Sequence, residues 1–189
     1  MIRISVAMTA GGVIGDKGRI PWRMPSDMVR FRANTMGRAL IVGRKTWDGI
    51  QAQRDGRGLE GRTVFVLTRE DHGDAARSWL YGERHGAPFG TASAASPADL
   101  GNLVNAFCGG DAWAIGGAEI YALALPVADE IHLTTVFGQV AGDTVWTPPH
   151  VLRNHSGFEV VHETTAARVM AEDEAVSMYT ILRRIKHAA

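Results

Sequence analysis

Gly15-Asp16-Lys17-Gly18-Arg19-Ile20-Pro21-Trp22-Arg23-Met24-Pro25-Ser26-Asp27-Met28-Val29-Arg30-Phe31-Arg32 is the stretch from which the rest of the chain is read. A Gly-rich loop runs into a Pro-Trp corner and then into a helix start. Pro21 and Pro25 each fix φ and leave few routes for the chain. Ser26 is an N-cap candidate, or Pro25 opens the first turn; the two registers differ by one residue. In both, Asp27 lies in the first turn. Asp27 and Phe31, at i and i+4, share a helix face. A carboxylate beside an aromatic on an inward face is a buried acid in apolar surroundings.

That placement opposes two effects. Burial disfavours the charged form and raises a carboxyl pKa, whereas the helix N-terminus favours the anion. The dipole contributes about 0.3–1 kcal/mol, and full burial about 4–7 kcal/mol. A buried Asp27 therefore needs a partner or it neutralises, and a cationic or amidine-like ligand would serve. The alternative is an acid on the surface that only complements the dipole.

The 189 residues suggest one domain, long enough to bury a sizeable core. Lys+Arg and Asp+Glu both number 20, so the formal charge is zero and nothing favours nucleic acid or an anionic membrane. One cysteine, Cys108, precludes an intrachain disulfide framework and reads as a core residue. Met1 leads directly into an alternating strand with no signal peptide ahead of it, and no apolar run reaches membrane-spanning length. A soluble, cytoplasmic, monomeric protein is expected.

Outward from the opening stretch, residues 2–8 read as a strand, then a loop over 9–21 carries Gly11, Gly12, Gly15 and Gly18. The helix after it ends near Gly37. Residues 39–42 are a continuous apolar run, the pattern of a strand buried on both faces. Gly43-Arg44-Lys45-Thr46-Trp47 follows as a strand-to-helix turn, either an anion site with two cations beside a helix N-terminus or a solvated basic turn. Residues 63–67 form a second buried-type strand ending in Thr68-Arg69, at the strand edge where open α/β sheets bind ligands. Residues 70–95 have no clear period. Ser96-Pro97-x-Asp99 signals a capped helix whose apolar face is Leu100, Leu103, Val104 and Phe107, closed by Gly109-Gly110. A strand over 111–115 then runs into Gly116-Gly117 and a helix over 118–125 that stops at Pro126. Strand, two glycines, helix is the layout of a phosphate-binding turn, without the G-x-G-x-x-G fingerprint. Residues 130–134 make a further strand. Residues 158–162 and 176–183 alternate as a long antiparallel hairpin, whose Glu172-Asp173-Glu174 loop reads as a solvated acidic run. The expected fold is α/β: a mostly parallel central sheet with antiparallel C-terminal hairpin strands and helices on both faces. The seven histidines show no ligand-like pairing, so no metal is expected.

Together these segments resemble dihydrofolate reductase. Val13-Ile14-Gly15, Pro21-Trp22, residues 25–31, Gly43-Arg44-Lys45-Thr46-Trp47, Gly61-Arg62, Leu67-Thr68-Arg69, Ile115-Gly116-Gly117, Ile120-Tyr121, Leu133-Thr134 and Gly142-Asp143-Thr144 come in that family's order and span most of the chain. The resemblance implies NADPH-dependent reduction of 7,8-dihydrofolate to 5,6,7,8-tetrahydrofolate. Asp27 would be the ionisable group of the pterin pocket, Thr134 would orient it, Trp22 would hold a water and close the loop, and Tyr121 would lie against the nicotinamide. Ser5, Val6, Ala7, Ile20, Met28, Phe31, Ile50 and Ile115 would line the substrate. Arg62 would bind its glutamate tail, with Arg57 as the rival. The cofactor would be held by Ala7, Ile14, Gly15, Gly18, Ile20, Gly43, Arg44, Lys45, Thr46, Leu67, Thr68, Arg69, Ile115, Gly116, Gly117, Ala118, Glu119, Ile120 and Tyr121. Arg44 and Arg69 suit an adenosine 2′-phosphate, hence NADPH over NADH. The family carries a cis peptide at Gly116-Gly117. Residues 1–189 would be one domain with a loop insertion around 70–95. Two other readings stand beside this one: a pyrimidine reductase of riboflavin synthesis, and a non-catalytic NADPH- or folate-binding module.

Overall fold

The computed structural model describes residues 1–68, 82–84, 87–92, 94, 96–146 and 157–186. Its centre is a nine-stranded sheet in the order β10-β11-β8-β1-β7-β3-β4-β6-β5. The strands are β1 (Ile2–Thr9), β3 (Ala39–Gly43), β4 (Thr63–Leu67), β5 (Gly82–Arg84), β6 (Ala87–Ala92), β7 (Ala112–Ala114), β8 (Glu130–Phe137), β10 (Phe158–Glu163) and β11 (Val176–Arg184). Pairing is parallel from β8 through β1, β7, β3 and β4 to β6. It is antiparallel where β11 meets β8, β10 meets β11 and β5 meets β6. The mostly parallel sheet with an antiparallel C-terminal edge is the expected fold.

The interior strands read as apolar runs because both faces are covered. Ile4, Leu40, Ile41, Val42, Val66, Ala114 and Ile131 are fully buried. Among the described residues, four α-helices cross between strands: α1 (Pro25–Thr35), α2 (Arg44–Gln53), α3 (Pro97–Phe107) and α4 (Ala118–Ala124). α3 starts on the expected capping box, with Ser96 Oγ accepting from Asp99 N–H and the Asp99 side chain accepting from Ser96 N–H. Its face packs through Leu100, Leu103 and Val104, while Phe107, expected on that face, is 40% exposed at the last residue of the helix. Cys108 packs against the core, where burial and then Asp111 push its thiol up to about 11.

Several boundaries differ from expectation for local reasons. α1 begins at Pro25 with Met24 as N-cap, so Ser26 is inside the helix. The Gly-rich segment is not all loop, because β2 (Val13–Gly15) pairs with β9 (Thr144–Val145). α4 ends at Ala124 and the chain continues through Pro126 as a 3₁₀ turn, Leu125–Val127; a proline fits a first turn, where no N–H is needed. The unreadable 70–95 region contributes β5 and β6, and β6 extends the sheet beside β4.

The acidic hairpin loop is also not merely solvated. Asp173 is buried, and its carboxylate accepts from the N–H of Ser26 at 3.0 Å and of Met170 at 2.9 Å. It supplies α1 with the cap that Met24 cannot.

Candidate active site

The site lies at the C-terminal ends of β1, β3 and β7, where α1, α2 and α4 begin. Asp27 occupies the first turn of α1 with its side chain 19% exposed. Thr134, on β8 beside Ala7 of β1, donates its hydroxyl to Asp27 Oδ1 at 2.5 Å. Arg30, one turn along α1, approaches Asp27 Oδ1 at 3.4 Å and Thr134 Oγ1 at 3.2 Å. Burial raises the Asp27 pKa; Thr134 and Arg30 pull it down, and Asp173 adds to the rise. The reading of Asp27 as a surface dipole complement is thereby excluded. Arg30 is the site residue sequence reasoning missed, although its i,i+3 spacing from Asp27 was visible.

The walls follow. Trp22 is buried against Met24 and Val136, with Ala7 and Val13 packed beside them. Ile20 and Met28 are about half exposed, at 52% each. Phe31 is half-buried and lies under the Arg62 guanidinium, Cζ 5.9 Å from the ring centroid. Ile50 is half-buried against the Trp47, Leu59 and Trp113 cluster. Val6 points its side chain into the core, so only its backbone could meet a ligand. The Ser5 carbonyl accepts from the Tyr121 hydroxyl at 2.9 Å. Tyr121 is buried, and burial followed by the charge of Asp27 raises its pKa.

Arg62 is buried and held by the Glu60 carbonyl at 3.1 Å and Thr35 Oγ1 at 3.4 Å. Its pKa is lowered, first by burial and then by Arg32 and Arg54. Arg57 is exposed, 4.0 Å from Asp55, and donates to the Arg54 carbonyl. Of the two rivals, Arg62 is the one beside Phe31.

Two helix starts converge behind the pocket. Gly43, N-cap of α2, has no side-chain cap, and its N–H donates to the Gly116 carbonyl at 2.7 Å. Gly116-Gly117 is a cis peptide, as the resemblance implied. Gly116 has φ +106°, and a Cβ there would lie 2.9 Å from the Tyr121 hydroxyl. A Cβ on Gly117 would lie 2.9 Å from Thr46 Oγ1. Ile120 packs over Gly43, while Ala118 is half-buried and Glu119 exposed. The Ile115 N–H is taken by Ile41 O at 2.9 Å, leaving its carbonyl as the group it can offer. Arg44 and Lys45 are exposed; Arg44 pairs with Asp48 at 3.3 Å. Leu67 is a core residue and Thr68 is half-buried at the end of β4. Arg69 lies outside the described residues.

In the loop before the corner, Ile14 and Gly15 belong to β2, and Gly18 has φ +75°. Asp143 accepts the Lys17 N–H at 3.0 Å and ties this loop to the turn before β9. Among the described residues no group of three or more His, Cys, Asp or Glu could hold a metal ion. None of their helices is long and apolar enough to cross a membrane.

Comparison with known proteins matches this arrangement. The family model for dihydrofolate reductase matches residues 1–183. The dihydrofolate reductase of Mycobacterium tuberculosis is 37% identical over 136 residues, 72% of this chain and 71% of that one. Dihydrofolate reductase type 3 of Salmonella typhimurium is 33% identical over 144 residues, 76% of each chain. The fold is similar to dihydrofolate reductase from Enterococcus faecalis complexed with NADP(H), with a TM-score of 0.76, 24% sequence identity, and coverage of 98% of this chain and 97% of that one. Ordered motifs alone could sit on a divergent scaffold, but a match across residues 1–183 is not a matter of motifs: the chain belongs to the dihydrofolate reductase family and is an NADPH-dependent oxidoreductase that reduces dihydrofolate.

Proposed function

We propose that Asp27 is the carboxylate that holds the pterin of 7,8-dihydrofolate while C6 accepts a hydride and N5 a proton, giving 5,6,7,8-tetrahydrofolate. The observation that carries this is the Asp27 environment: a mostly buried acid whose Oδ1 receives Thr134 and Arg30. A ligand with two adjacent N–H donors, such as the 2-amino and N3 groups of a pterin, would meet the carboxylate on its Oδ2 side, since Thr134 and Arg30 take both lone pairs of Oδ1.

The residues at the paired helix starts fit NADPH. The uncapped α2 N-terminus at Gly43, with Arg44, Lys45 and Thr46, offers N–H groups and positive charge to phosphate, and Gly117 leaves the room a Cβ would fill. When bound, NADPH supplies the hydride. The chain's own work is alignment and exclusion of water. Tyr121, anchored on Ser5, and the Ile115 carbonyl orient the nicotinamide side. Phe31, Ile50 and Met28 hold the pterin and benzoyl side, and Arg62 takes the tail carboxylate. Trp22 and Ile20 close over the reacting rings. Water delivers the proton to N5; Asp27 favours that protonation by its charge and accepts from N3 rather than giving up a proton. The supporting fact is that Asp27 Oδ1 receives two donors, Thr134 and Arg30, which suits an acceptor.

The same proposal includes one dihydrofolate reductase-like domain over 1–189 with an insertion around 70–95. It also makes the protein a cytoplasmic monomer that binds neither nucleic acid nor membrane, which the zero formal charge supports.

The test is NADPH oxidation by the purified protein with dihydrofolate, beside Asp27→Asn. Wild type turns over. The variant loses about 10²-fold or more in kcat/KM at neutral to high pH, where free N5 is unprotonated. An Asp27→Asn enzyme as active as wild type at pH 8 would sink the assignment.

A further inference from the structure

Behind Asp27 a polar cluster sits between α1 and the sheet. Along β8, Glu130, His132 and Thr134 alternate and share one face. Tyr179 of β11 stands directly across from Thr134 in the strand register. The Arg30 guanidinium lies on the Tyr179 ring, Cζ 4.1 Å from the centroid. The Tyr179 hydroxyl is itself held, 2.5 Å from His132 Nδ1 and 3.3 Å from Asn34 Nδ2. His132 Nε2 is 3.4 Å from Glu130, which also binds Arg183. The ring under Arg30 is therefore fixed from behind.

The hydrogen bonds around Thr134 have one consistent direction. Arg30 carries only donors, so Thr134 Oγ1 accepts from it. The single Thr134 proton then goes to Asp27 Oδ1, which also receives Arg30. Two donors on one oxygen suit the ionised carboxylate.

We propose that Arg30 is a positioning residue for this site: its guanidinium, laid on Tyr179, holds a fixed positive charge against Asp27 and Thr134, keeps Asp27 in its acceptor-only form, and sets the pH range over which the enzyme turns over. The proposal rests on the reading of Asp27 as the pterin carboxylate. It adds a residue outside the substrate contacts that decides when that carboxylate is charged. Every group facing Asp27 counts in the balance. Arg30 shares its helix, Thr134 comes from β8, and Tyr179 with His132 stands behind Arg30. Asp173 comes from the β10–β11 loop and Tyr121 from α4. Asp173 and burial oppose the charge, and Thr134 and Arg30 support it. Among the described residues, Arg30 is the cation that touches Asp27.

The test combines carbon-13 NMR of Asp27 in the ligand-free enzyme with the pH dependence of the hydride-transfer rate. Arg30→Met removes the charge and keeps most of the stem. Its Asp27 midpoint moves up by at least about half a pH unit. The alkaline limb of the rate also moves up, because an unscreened Asp27 holds the N5 proton more firmly. Arg30→Lys, with charge but no flat fork, brings both back toward wild type. Tyr179→Leu leaves the charge but frees it, and gives a smaller shift of the same sign; it also serves if Arg30→Met does not fold. A folded Arg30→Met, or Tyr179→Leu in its place, with an unmoved Asp27 midpoint overturns the proposal, whatever happens to thermal stability. A midpoint that moves while the rate limb stays also overturns it, and places the fault in the pterin reading rather than in the Arg30–Asp27 contact.

Discussion

The Thr134 hydroxyl meets Asp27 Oδ1 at 2.5 Å and joins β8 to α1 across 107 residues of chain. Thr134→Val keeps the shape and removes the donor. A hydrogen bond to a charged group is worth about 1.5–3 kcal/mol, so kcat/KM for dihydrofolate falls roughly tenfold to 150-fold. NADPH affinity stays at the wild-type value, because the Thr134 hydroxyl is engaged with Asp27 and Arg30 rather than with the helix starts at Gly43 and Gly117. Steady-state kinetics beside a cofactor titration check both halves.

Asp27 and Asp173 give opposite dependences of stability on pH. The Asp27 pKa is raised on folding, so ionisation costs stability: the penalty is absent below the unfolded value of about 3.9 and grows as pH rises through the folded value. Asp27→Asn therefore melts above wild type at pH 7 and merges with it below about pH 4. For Asp173, burial raises the pKa but the N–H groups of Ser26 and Met170 outweigh it, and the net shift is downward. Its contribution is present above about pH 4 and is lost as pH falls through the folded value. Asp173→Ala costs on the order of 1 kcal/mol at pH 7, the size of a lost helix cap, and less in acid. Urea unfolding of the three proteins from pH 3 to 8 checks these signs.

Gly117→Ala brings a Cβ to 2.9 Å from Thr46 Oγ1, on a short β-branched side chain with little freedom to give way. Overpacking of this kind costs about 1–3 kcal/mol, and here it falls on the phosphate side of the site. The Kd for NADPH rises roughly tenfold, read by nicotinamide fluorescence, while folding is retained.

Arg62 and Arg57 separate by substrate truncation. Arg62→Met raises KM for dihydrofolate about tenfold or more, the loss of one charge-assisted contact, and has little effect on a dihydropterin without the glutamate tail. Arg57→Met leaves both substrates near wild type, since that side chain is in solvent. A tail-dependent loss in Arg57→Met instead would reassign the tail carboxylate.

Much of this protein is legible in local sequence. The apolar run at residues 39–42, the Ser96-Pro97-x-Asp99 cap and the Gly116-Gly117 turn each state their structure within a few residues, because burial on two faces, helix capping and close backbone approach have local signatures. The first-turn position of Asp27 belongs to the same class.

What the tertiary structure alone decided lies between segments distant in sequence. That Asp173, in an acidic run that reads as solvent-facing, caps α1 from 147 residues away is a fact of hairpin placement. That β6 extends the sheet follows from pairing with β4, not from its own weak pattern. That Arg30 meets Asp27, Thr134 and Tyr179 at once depends on the register of β8 against β11. Local propensity reports what one segment prefers; the charge state of a buried acid is set by what other segments bring to it.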